Sequence, residues 1–149
     1  MTEHDLAEIE IEDLIPHRGN MILIDHIVEI HKEYAVTEAI VKESWPLLTV
    51  DGVQPLILVE LAAQSAGVCN GWDRIKKKGL KSDSMGWLVG VKKAKFNIEC
   101  IPLRSKIITR SENSSKYDNL RVTSSVSWLG KEIIGEITLQ LFQAPQNDT

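Results

Sequence analysis

Between Leu56 and Cys69 the chain carries a single charged side chain, Glu60, within the segment VELAAQSAG at residues 59 to 67. Burial disfavours the charged form of a carboxyl group, and a neutral carboxyl is what a general acid needs. The plainer alternative is that Glu60 is held by Gln64, one helical turn on, or by a buried cation. Acid–base chemistry calls for a partner, and histidine is the usual one near neutral pH. The four histidines, His4, His17, His26 and His31, all lie in the N-terminal part of the chain. His17 stands in the turn-like PHRG at residues 16 to 19, whereas His26 alternates with Ile24 and Val28 and reads as a core or interface histidine. Asp51, in the loop before the apolar run, is a remote second carboxylate. Two carboxyl groups divide acid and base roles only when their surroundings separate their pKa values, and the sequence shows no such asymmetry. No phosphate loop or serine nucleophile motif is present. Cys69 and Cys100 have no CxxC spacing and no Cys/His cluster around them, so they are expected to be reduced core residues. No metal and no cofactor is expected.

The chain that must position these groups has 149 residues, 43% of them hydrophobic, enough for one domain over residues 1–149 with a sizeable core. Lys plus Arg number 17 against 21 Asp plus Glu, a net charge of −4 that argues against a nucleic-acid binder relying on phosphate neutralisation. The N-terminus MTEHDLAEIEIE is acidic and lacks the order of a signal peptide. No apolar run approaches the roughly 20 residues of a membrane span, so a cytoplasmic location is expected.

Along the chain, IEIEDLIPHRG reads as a short helix stopped by Pro16 and Gly19. Residues 21 to 30 alternate as a strand, with Ile22, Ile24, Val28 and Ile30 on one side, and residues 33 to 41 pair with it as a hairpin. The segment LILVELAAQSAGVCNGWDRIKKKG is too long for a strand and predicts a helix capped by Gly79. Ala63, Gly67 and Gly71 fall four apart on one face of it, where another backbone can approach closely. With one charge in its first half, that helix must be covered on nearly all sides. The covering comes from MGWLVGVKKAKF, RSKIITRSE, LRVTSSVSW and EIIGEITLQLF. In the last two, Leu120, Val122, Val126 and Trp128, and Ile133, Ile137, Leu139 and Leu141, are expected to face the core. Gly130 and Lys131 turn that hairpin, and residues 144 to 149 form a frayed tail. The pattern predicts an α+β fold in which an antiparallel sheet wraps one long central helix.

On three ordered segments, IEDLIPHRGNMILIDHIVEI, LILVELAAQSAG and GVKKAKFNIECIP, covering roughly residues 10 to 143, the chain resembles the hot-dog fold 3-hydroxyacyl-acyl-carrier-protein dehydratases. The resemblance implies a lyase that removes water from 3-hydroxyacyl thioesters and needs no cofactor. Its substrates are carried on acyl carrier protein or coenzyme A, in a fatty acid, polyketide or aryl-polyene type pathway. It further implies a homodimer or higher oligomer, with Glu60 as the catalytic carboxylate and substrate contacts at Pro55, Leu56 and Gln64.

Two departures stand beside these matches. The family's catalytic histidine lies in a His-Phe-Pro-Gly segment before the helix, yet residues 32 to 59 hold no histidine, and its place falls near Trp45-Pro46. The family's Pro-Gly step, whose N–H binds the thioester oxygen, reads Gln54-Pro55 here, and proline has no N–H. His17 is the best replacement candidate, although the family carries that histidine alongside its catalytic one, so a turn-stabilising role stays open. Lys76, Lys77, Lys78 and Lys92 suit docking of an acidic carrier protein, or else simply offset the helix dipole. Besides a dehydratase, a non-catalytic hot-dog subunit that binds acyl chains or pairs with an active partner, and a hot-dog thioesterase, remain open.

Overall fold

The computed structural model describes residues 9–79 and 86–143. The short helix α1 (Ile11–Leu14) and a 3-10 turn (Gly19–Met21) lead into strands β1 (His26–Ile30) and β2 (Tyr34–Ile40). The long helix α2 (Ile57–Lys78) follows, and then strands β3 (Gly86–Phe96), β4 (Lys106–Tyr117), β5 (Leu120–Leu129) and β6 (Glu132–Gln143). All six strands join one antiparallel sheet in the order β1-β2-β4-β5-β6-β3. Helix α2 packs across it, in contact with β1, β2, β4, β5 and β6. This is the expected sheet around one central helix. Among the described residues no helix is long and apolar enough to cross a membrane.

The composition of α2 explains why it sits inside. Ile57, Leu58, Leu61, Ala62, Ala66 and Val68 are all buried, and each large aliphatic among them gains about 1.5–3 kcal/mol on leaving water. Gly79 ends the helix in a positive-φ conformation, with its N–H on the carbonyl of Ile75. Two small residues of that stripe, Gly67 and Gly71, face the chain at the end of α1. A Cβ on Gly71 would stand 2.2 Å from the Leu14 carbonyl oxygen, and one on Gly67 would stand 2.9 Å from Ile15 Cγ2.

The faces of two strands differ from the expectation. On β5 it is Thr123, Ser125 and Ser127 that are buried against the helix, while Val122, Val126 and Trp128 lie half-buried on the opposite face. Period two identifies an apolar face but not which face the helix covers. Here the covered face is built largely from hydroxyls that satisfy one another, Thr109 with Ser127 at 2.8 Å, Ser111 with Ser125, and Thr37 of β2 with Ser65 of α2 at 2.8 Å, while the buried Thr123 hydroxyl has no hydrogen-bond partner among the described residues. Ser111 also reaches the Ala62 carbonyl at 3.2 Å. Short side chains let helix and sheet come close. On β6 the register shift between Ser127 and Trp128 turns Ile134 inward and leaves Ile133 exposed, while Ile137 and Leu139 stay buried as expected.

The first strand is shorter than its alternation implied. Residues 22 to 25 precede β1, and a bulge between Ile27 and Glu29 leaves Val28 exposed and Ile30 buried. His26 is exposed on this edge strand, which corrects its reading as a core residue. Cys69 and Cys100 are free; Cys69 is buried as expected, while Cys100 is only partly so. The expected tail, residues 144 to 149, lies outside the described residues.

Candidate active site

The chain segment after α1 brings His17 onto the first turn of α2. His17 Nε2 stands 3.0 Å from Glu60 Oε1, with the side chains 27% and 36% exposed, so the pair is reachable from solvent. The turn that carries His17 is closed by Arg18, whose Nη1 donates to the carbonyls of Ile15 at 2.9 Å and of His17 at 2.6 Å. The other ring nitrogen, His17 Nδ1, is buried and has no hydrogen-bond partner among the described residues, so exchange with a ligand passes through Nε2.

Gln64 locks the second side of the site. Its Nε2 donates to Glu60 Oε1 at 3.0 Å and to the Met21 carbonyl at 2.7 Å, and its Oε1 accepts from the Leu23 N–H at 3.0 Å. It is fully buried. Glu60 Oε1 thus takes two donors while Oε2 is left open. Burial pushes the Glu60 carboxyl up, but the hydrogen bonds from His17 and Gln64 and the charge of His17 outweigh it, so the group lies below its ordinary value of 4.5. This corrects the expectation of a carboxyl kept neutral by desolvation. At neutral pH Glu60 is a carboxylate, fit to accept a proton rather than to donate one.

The remaining expected residues separate. Leu56, at the start of α2, is exposed, and Pro55 before it partly so. Gln64 is committed to its own chain, which speaks against direct substrate contact by it. The N–H groups of Ile57, Leu58 and Val59 go to the carbonyls of Gln54, Pro55 and Leu56, so the donors that follow Pro55 at the start of α2 are already paired. Trp45, near the place of the family's histidine, is 4% exposed and belongs to the main core cluster. Asp51 is exposed on its loop. Lys76 and Lys77 face neighbours on their own helix, the ring of Trp72 at 5.4 Å and Asp73 at 3.1 Å, and Lys92 is exposed on β3. Among the described residues no group of His, Cys, Asp and Glu side chains is placed to hold a metal ion.

What sequence reasoning left open is the role of Gln64 toward residues 21 to 23. The visible signal was a polar residue one turn from Glu60 in an otherwise apolar stretch, a position that a buried hydrogen-bonding group occupies only when it has partners.

Solved structures of similar shape include a chain of the dehydratase heterocomplex ApeI:P from Xenorhabdus doucetiae, with TM-score 0.83, 17% identity and 92% of each chain covered. A sigma28-regulated virulence protein from Campylobacter jejuni matches with TM-score 0.70 and 15% identity over 99% of this chain and 94% of that one. A hypothetical thioesterase from Streptococcus pneumoniae, solved with coenzyme A, matches with TM-score 0.63 and 14% identity over 83% and 90%. At these identities the likeness establishes the hot-dog fold. The sequence itself goes further: residues 9–149 match the ApeP-like family model, described as ApeP dehydratase, and the chain belongs to that family.

Proposed function

We propose that this chain dehydrates 3-hydroxyacyl thioesters and that Glu60 and His17 of one chain are its acid–base pair. The observation that carries the reading is the 3.0 Å contact between His17 Nε2 and Glu60 Oε1, at a position open to solvent, in a chain without the family's usual histidine. With Glu60 as carboxylate and His17 as imidazolium, Glu60 Oε2 takes the proton from C2 of the acyl chain. The electron pair of the broken C2–H bond forms the C2–C3 double bond, and the C3–O bond breaks as the hydroxyl leaves as water with a proton from His17 Nε2. Return of the proton from Glu60 to His17 across their contact restores the pair.

Turnover of 3-hydroxyacyl thioesters, on acyl carrier protein and on coenzyme A, tests this. Glu60→Gln is nearly isosteric and should cut turnover on the order of a hundredfold or more, as loss of an acid–base group does. A comparable loss in His17→Ala supports the pair. Loss in Glu60→Gln alone points to one-carboxylate chemistry with water assisting. No hydration or dehydration by the unmodified protein with short, medium or aryl substrates would sink the reading for the chain acting alone.

One observation favours a second reading, that of a non-catalytic subunit working beside an active hot-dog chain. The buried Trp45, near the place of the usual histidine, and Pro55, which has no N–H to offer, leave the catalytic histidine and oxyanion donor that the resemblance implies unsupplied. The Xenorhabdus doucetiae structure, described as a dehydratase heterocomplex, is consistent with it. A thioesterase reading has only likeness of fold behind it.

Assembly into at least a homodimer belongs to the same proposal. β3 lies at the sheet edge and exposes Leu88, Val89 and Val91, a row that a second strand would cover. Docking of an acidic carrier protein through Lys76, Lys77, Lys78 and Lys92 belongs to it as well.

A further inference from the structure

Nothing in covalent order holds His17 at Glu60; they are 43 residues apart and lie on separate elements. What joins them is a strap, residues 13 to 23, fastened along one face of α2. Taken from the far end of the helix, Arg74 Nη2 donates to the Asp13 carbonyl at 2.8 Å, and the Leu14 backbone fills the space above Gly71. Ile15 then fills the space above Gly67, and His17 meets Glu60 at 3.0 Å. Gln64 fixes the far end of the strap at Met21 and Leu23. Positions 74, 71, 67, 64 and 60 are three or four residues apart, so these contacts share one helix face. Over 14 residues at 1.5 Å each they span about 21 Å.

The two glycine contacts differ in kind. Above Gly67 the neighbour is a side-chain methyl, Ile15 Cγ2, which can shift by a turn about χ1 without moving main chain. Above Gly71 it is main chain: a Cβ there would meet the Leu14 oxygen at 2.2 Å and the Leu14 C and Cα at 2.9 Å. Main chain that is also tied to Arg74 and capped by Arg18 cannot give without carrying the following turn along. Resting on the reading of His17 and Glu60 as the acid–base pair, we infer that Gly71 is a positioning residue for that pair. It sets how closely the strap approaches α2 and so whether His17 reaches Glu60, three helical turns away.

Gly71→Ala tests this in the full chain, with two readouts. In long-range 1H–15N spectra the His17 ring nitrogens report the hydrogen bond at Nε2; this signal should shift toward that of Glu60→Leu, in which the bond is gone. Turnover should fall through kcat rather than KM, on the order of a hundredfold if His17 is displaced by about 1 Å. Gly67→Ala should shift the same signal less, and Gly67→Ala with Ile15→Leu, which removes the opposing Cγ2 methyl at nearly constant volume, should restore it. If Gly71→Ala does not fold, the Gly67 pair carries the test. A folded Gly71→Ala with an unchanged His17 ring signal overturns the inference whatever its activity, as does a Gly67→Ala shift that Ile15→Leu fails to reverse. A shifted ring signal in a protein whose unmodified form is inactive upholds the positioning and removes the acid–base reading instead.

Discussion

Replacing Gln64 by leucine tests the lock beneath the site without touching either reacting side chain. The shapes are similar, so the change removes hydrogen bonds rather than volume. Three are lost: one to Glu60, one to the Met21 carbonyl and one from the Leu23 N–H. Their fates differ. Met21 is exposed and its carbonyl can turn to water, and Glu60 keeps its open side, so these two cost about 1 kcal/mol each at most. Leu23 is 1% exposed, and its N–H is left buried without an acceptor at a cost of about 1–3 kcal/mol. The sum is about 1–5 kcal/mol, part of it offset by the greater apolarity of leucine. In urea, at a mid-range slope of about 2 kcal/mol/M, the unfolding midpoint should fall by about 0.5–2.5 M. Gln64→Glu gives the control: one oxygen still accepts from Leu23, but the other now faces the Met21 carbonyl and the Glu60 carboxylate, so it should be as damaging at neutral pH and recover as the solution is acidified. A midpoint within 0.3 M of the parent for Gln64→Leu, a bound set at about 0.5 kcal/mol, would refute the reasoning.

Other expectations follow from the same geometry. Because the folded chain holds Glu60 below 4.5, its stabilisation is complete above the unfolded value and is lost as pH falls through the folded one; Glu60→Gln should therefore flatten the stability curve below about pH 4.5. An equally steep acid limb in both proteins would contradict it. Charge reversal of Lys76, Lys77 and Lys78 should weaken binding to acyl carrier protein, and binding by the parent should fall steeply with salt; indifference to both would reject docking at the helix end. Sedimentation at micromolar concentration should give a species heavier than the 16.7 kDa chain, and a lone monomer would rule out the assembly.

The central helix and the Gly130–Lys131 hairpin were legible because their signals are local: a long apolar run, a positive-φ glycine at a cap and a two-residue turn. The covered face of β5 was not. Val122, Val126 and Trp128 carry the stronger alternation, but Thr123, Ser125 and Ser127 face the helix, where short hydroxyls can pair across strands and leave room for its backbone. The bulges in β1 and at Trp128 each reverse a face within one residue, which strict alternation cannot anticipate. At the site, Glu60 was legible as a lone charge in an apolar run. Its protonation was not, since that depends on two donors, one of them 43 residues away in sequence. His17 was legible only as a candidate; the three-dimensional path over Gly71 and Gly67 is what brings it to Glu60.

Trp45 bears on whether a histidine could stand near the place where the resemblance puts the dehydratases' catalytic one. An indole that is 4% exposed and packed in the main cluster is part of the structure's interior, not a blank left by a deleted group. Putting an imidazole there would empty several heavy atoms' worth of volume and bury a polar ring among apolar neighbours, losses bounded above by the about 3–5 kcal/mol of cutting a buried tryptophan to alanine. Against the roughly 5–15 kcal/mol that holds a typical domain together, that is a deep valley for a lineage to cross in one step. A histidine at that place is thus opposed by packing before chemistry has any say, and acid–base chemistry in this chain has to use residues that stand elsewhere.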